Sequence, residues 1–126
     1  MLDASIVFVG VGKIILRIPG ARSLKDKRMT VRSFKERVQA RIHVSIAEVG
    51  ELEQLQLATF GVAVVSNDAA ICDEVLASVA RAADTLKDGV LVDYATEIIP
   101  FGAGGGSLRG GLLDREARGD EGDDHG

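Results

Sequence analysis

Residues 5–20 read SIVFVGVGKIILRIPG, and the fold turns on how this stretch is read. It is rich in β-branched residues and ends at Pro19-Gly20, a strong turn signal, so it predicts a long first strand from Ser5 to Ile18. Ile6, Phe8, Ile14, Leu16 and Ile18 fall on one face, with Gly10 and Gly12 between them. Val7, Val9, Val11 and Ile15 fall on the other, interrupted by Lys13 and closed by Arg17. Both faces are therefore largely apolar. A sheet covered by helices on one side only should alternate more cleanly. The second face calls for cover, either by the Glu51–Leu57 connection or by a second subunit in a homodimer touching Val7, Val9, Val11 and Ile15.

Working outward, Ser23 is a good helix N-cap, and Asp26 three residues on completes a shortened capping box. Leu24, Val31, Phe34, Val38 and Ile42 then recur as one stripe of a 3.6-residue period, which predicts a first helix. His43–Val49 alternates weakly and reads as a second strand, and Ala58–Ser66 as a third with Phe60, Val62 and Val64 on one face. Asn67-Asp68 caps a second helix whose expected inward stripe is Ile71, Val75, Val79, Ala82 and Leu86. Asp88-Gly89 turns the chain into a last strand, Val90–Ile99, which Pro100 is expected to stop.

The order β-α-β-β-α-β is the split βαβ pattern. It predicts an α+β, ferredoxin-like domain over residues 1–99, with two helices on one face of a four-stranded antiparallel sheet. Residues 100–126 hold nine glycines and end among Asp120, Glu121, Asp123 and Asp124. Such a composition buries too little apolar surface to order itself, so a disordered tail is expected.

Within this order, Ser23-Leu24-Lys25-Asp26-Lys27-Arg28, Val44-Ser45-Ile46-Ala47-Glu48-Val49-Gly50 and Val64-Val65-Ser66 resemble the YlxP-like family of uncharacterised bacterial proteins. The likeness runs unbroken over about residues 6–99. It implies a ferredoxin-like fold and no established activity. Family members are often encoded near translation-initiation and ribosome-maturation factors, which implies RNA-related work. One run departs from the family pattern. Where relatives carry Asp-x-Trp-Gln-Arg, this chain has Glu53-Gln54-Leu55-Gln56-Leu57, keeping the Gln and an acid. No role of the Trp or Arg carries over.

Charge narrows the function classes further. Residues 1–41 hold ten Lys or Arg against Asp3, Asp26 and Glu36, leaving +7, while the remainder carries −11. The overall −4 conceals a basic N-terminal third. On a helical projection Lys25, Arg28, Arg32 and Lys35 lie within about 80° of arc. Lys27 falls among the apolar positions instead. Arg22, Lys25, Lys27 and Arg28 crowd the helix start, where the macrodipole prefers acids. Local rule-breaking of this kind marks a place where function is expected. Two readings fit. Either these are solvated charges with Lys27 snorkelling at the rim, or Arg22, Ser23, Lys25, Lys27 and Arg28, continued by Arg32 and Lys35, contact phosphate or an RNA backbone. Ribosomal RNA or a ribosomal subunit is the expected partner on the second reading, with the acidic tail shielding the basic flank. The rival is a homo-oligomeric interaction or ligand-sensing module with no nucleic-acid partner.

No catalytic constellation is legible. Gly10-Val11-Gly12 begins a GxG, but Ile15 stands where a third glycine is needed. Gly104-Gly105-Gly106-Ser107 lacks the spacing and lysine of a P-loop. His43, Ser45 and Glu48 crowd one strand, whereas a triad converges from separate elements; His125 sits in the tail. Cys72, alone, can form neither an intrachain disulfide nor a cysteine cluster for zinc; it reads as a small packing residue. Phe8, Phe60 and Tyr94 fit the helix-covered face rather than a base-stacking platform. No metal, cofactor or membrane span is expected, and the absence of a leader at Met1–Ser5 reads as cytoplasmic.

Overall fold

A computed structural model describes residues 6–50 and 52–102. The chain runs β1 (Val7–Arg17), α1 (Leu24–Arg41), β2 (Ser45–Gly50), β3 (Leu57–Ser66), α2 (Ala69–Asp84) and β4 (Val90–Phe101). All strand pairs are antiparallel in the order β2-β3-β1-β4. Two helices on one face of this four-stranded sheet make it a ferredoxin-like α+β fold, as the sequence order predicts.

β1 and β3, both largely apolar on their two faces, are the interior strands. Ile14, Leu16 and Ile18 point under the helices and are buried, together with Ala58, Phe60 and Val62 of β3. From α1, Val31, Phe34 and Val38 enter this core. Phe34 meets Phe60 edge-on at 5.0 Å, a geometry worth about 0.5–1.5 kcal/mol beyond area burial. Leu24 and Ile42, the ends of the expected stripe, are half-buried.

The second helix differs from expectation. Its buried side chains are Cys72, Leu76, Val79, Ala80 and Ala83, while Ile71 is 47% exposed. The buried face is rotated by roughly 80° from the Ile71–Val75–Val79–Ala82–Leu86 stripe. The cause lies on β1. A Cβ at Gly10 would stand 3.1 Å from Cys72 Cβ and Leu76 Cδ1, and one at Gly12 3.3 Å from Leu76 Cδ2. The two glycines open a hollow into which α2 presses its small face. Ile71 and Val75 are turned toward the flank, while Val79 stays buried.

Pro100 does not stop β4, which continues to Phe101 with Pro100 paired to Phe8. β4 is an edge strand, and an edge tolerates a residue without an N–H. The β1–α1 connection is tied to the turn before β3. Ile18 N–H donates to Gln56 O at 2.9 Å, and Gln56 Nε2 donates to Pro19 O and Ala21 O, each at 3.2 Å. The glycine-rich tail beyond Gly102, with His125, and the expected first strand residue Ser5 lie outside the described residues.

Candidate anion-binding interface on the first helix

The entry to α1 is built by its cap. Ser23 is extended, and its Oγ accepts from Asp26 N–H at 3.1 Å. The Asp26 carboxylate in turn accepts from Arg22 N–H at 3.0 Å. Asp26 thereby supplies the negative charge that the helix dipole favours. The helix start is not an open phosphate cradle: Ser23 acts as a cap, and a carboxylate of the chain itself sits beside it.

Lys27 also leaves the expected set. Its side chain is 2% exposed and its Nζ lies 3.1 Å from Glu48 Oε2 on β2. The contact is an ion pair by distance, without the alignment of a hydrogen bond, so its attraction is Coulombic. The helical projection correctly puts Lys27 among the apolar positions. Glu48 meets its charge inside the fold, where the side chain is enclosed rather than snorkelling to water.

The remaining cations stay on the surface. Arg22, Lys25, Arg28 and Arg32 are exposed and Lys35 is half-buried. Arg28, Arg32 and Lys35 line a shallow groove with Val31, Glu36 and Gln39. The opposite flank of α1, carrying Thr30, Ser33 and Arg37, faces Leu86 and Lys87 at the end of α2. The basic flank therefore points away from α2 and overhangs the β2 edge of the sheet. Among the described residues Arg28, Arg32 and Lys35 form no close ion pair, and Glu36 is the one carboxylate lining their groove.

Gln56 escaped the sequence reading as a functional residue. By holding the carbonyls of Pro19 and Ala21 it fixes the height at which α1 begins, and hence where the basic flank lies. The available signal was its retention in an otherwise divergent Glu53–Leu57 run.

Other candidates separate in space. His43 precedes β2, Ser45 lies on the uncovered face, and Glu48 points under α1 to Lys27, so the three do not converge. Cys72 is buried, with its Sγ 3.6 Å from Phe8 O. Phe60 is fully buried, and Phe8 and Tyr94 lie on the helix side, in register with Pro100 and Ile14. Burial first, and the Asp73 carboxylate second, raise the Tyr94 hydroxyl above its usual range, with Arg81 acting in the opposite sense. A base-stacking platform of three sheet aromatics is therefore not presented. Val7 and Val11 are exposed on the uncovered face, with Val9 and Ile15 half-buried. No helix among the described residues is long and apolar enough to cross a membrane.

Comparison with known proteins points to a family of uncharacterised proteins. The family model described as "Protein of unknown function (DUF503)" matches residues 9–96. The uncharacterized protein YlxP of Bacillus subtilis (strain 168) is 37% identical over 59 residues. That alignment covers 47% of this chain and 64% of the relative, so the match spans a little under two thirds of the relative's length.

Proposed function

The chain belongs to the DUF503 family of proteins of unknown function, and from that premise we propose that it is a cytoplasmic, non-catalytic accessory protein that binds RNA through α1. The observation that carries this reading is the column of exposed Arg28 and Arg32 and half-buried Lys35 along one flank of α1, with Arg22 and Lys25 at its start. Cations repeated along a rigid helix neutralise successive phosphates and release counterions, which gives affinity without base specificity. Recognition is by phosphate and shape, since Phe60 is buried and Phe8 and Tyr94 lie on the helix side. The charge layout supports this choice of surface, because the +7 of residues 1–41 is concentrated on and around α1 while the rest of the chain is acidic.

Ribosomal RNA is the favoured target, given the translation-related gene neighbourhoods that the family resemblance implies. Co-sedimentation of the full chain with ribosomal subunits tests it. Binding at low salt that is lost as salt rises supports the proposal. No co-sedimentation at low salt overturns it.

A further inference from the structure

The face of the sheet opposite the helices is uncovered unevenly. At the end where β1 finishes, Thr59 is only 8% exposed and Ile15 and Leu57 are half-buried, while Val49 and Val90 at its margins are 58% and 43% exposed. At the other end Val7, Val11, Val65, Ile99 and Phe101 are 43%, 42%, 67%, 40% and 52% exposed. These residues are neighbours across three strands, because Val7 pairs with Phe101 and Val9 with both Ile99 and Val65. The connection before β3 does not reach them. It is held at the opposite end of the sheet by Gln56, through Pro19 and Ala21.

We infer that this face packs against the same face of a second copy of the chain. Three features favour that occupant. First, the charges on the face balance within it: Lys13 and Arg17 lie on β1, and Asp93 and Glu97 on the neighbouring β4, in register with Ile15 and Val11. A second copy meets no net charge, and each basic row has acidic partners available. RNA, in contrast, would meet two carboxylates and one aromatic, Phe101. Second, the edges of the sheet resist strand addition. β4 carries Pro100 and a register shift opposite Ile15/Leu16, and β2 is short and shifts at Glu48/Gly50; such features blunt edge pairing. Association through the face needs no free edge. Third, the size fits. Strands of 11, 6, 10 and 12 residues, spaced about 4.8 Å apart, present roughly 600 Å² per copy when the whole face is counted. Two copies bury about 1,200 Å², the lower end of stable interfaces. The face lies on the layer opposite α1, so this inference and the RNA proposal stand or fall separately.

Sedimentation equilibrium of the full chain between about 1 and 100 µM tests it. The expected mass rises from that of the 13.3 kDa chain toward twice that value. Val11→Glu and Val65→Glu should each weaken association at least tenfold, with circular dichroism unchanged. Met29→Glu, on an exposed apolar side chain of α1, should leave association intact. Should Val11→Glu unfold the sheet, Val65→Glu carries the test, because its side chain is two-thirds exposed. A wild-type mass that stays at one chain throughout, or a dimer that Val65→Glu does not weaken, overturns the inference.

Discussion

Lys27 Nζ and Glu48 Oε2 stand 3.1 Å apart across the seam between α1 and β2, with the lysine side chain almost wholly enclosed. A buried pair of this kind is costly to break and cheap to replace whole, because removing one partner strands the other's charge while removing both does not. Lys27→Ala should therefore destabilise the protein by roughly 3 kcal/mol, and Lys27→Met with Glu48→Leu should stay within about 1 kcal/mol of wild type. Urea unfolding midpoints read both. RNA affinity should be unchanged in the double variant, since Lys27 is not on the exposed flank. A loss of affinity there would return Lys27 to the binding surface.

The hollow over β1 makes a second prediction. Gly10→Val puts methyl groups where a Cβ alone already stands 3.1 Å from Cys72, Leu76 and Val64. Overpacking of this kind costs typically 1–3 kcal/mol. The thermal midpoint should fall accordingly. An unchanged midpoint would mean that α2 does not rest on the glycines.

Cys72 supplies the third. Its thiol is enclosed and in contact with Phe8 O, so a disulfide-exchange reagent should label native protein only as fast as the α2 region opens, and label denatured protein at once. Immediate labelling in native buffer would contradict the packing role.

Much of this was legible before the structure, and the reasons differ from element to element. The order of elements is carried by local punctuation: Pro19-Gly20 after β1, Ser23 before α1, Asp68 before α2 and Asp88-Gly89 before β4. The buried stripe of α1 was legible because Val31, Phe34 and Val38 are large and evenly spaced. The α2 face was not, since its orientation depends on Gly10 and Gly12, which are distant in sequence and make their contribution by lacking side chains. The end of β4 was misread because Pro100 breaks a central strand but not an edge. At the candidate site, the basic flank was visible on a helical projection. Lys27's partner was not, because Glu48 becomes its neighbour only when β2 docks beneath α1. Asp26 was legible as the partner of the Ser23 cap, though not as the charge that fills the helix start.

The central claim is that the α1 flank binds RNA through its phosphates, and the salt dependence of affinity measures this directly. Binding of a single-stranded ribosomal RNA fragment is titrated from 50 to 300 mM salt with wild type and with the Arg28→Gln, Arg32→Gln, Lys35→Gln triple variant. The account predicts weaker binding by the variant and a plot of log affinity against log salt shallower by about 2, from three lost contacts at about 0.7 each. Equal affinity and equal slope for the two proteins would contradict it.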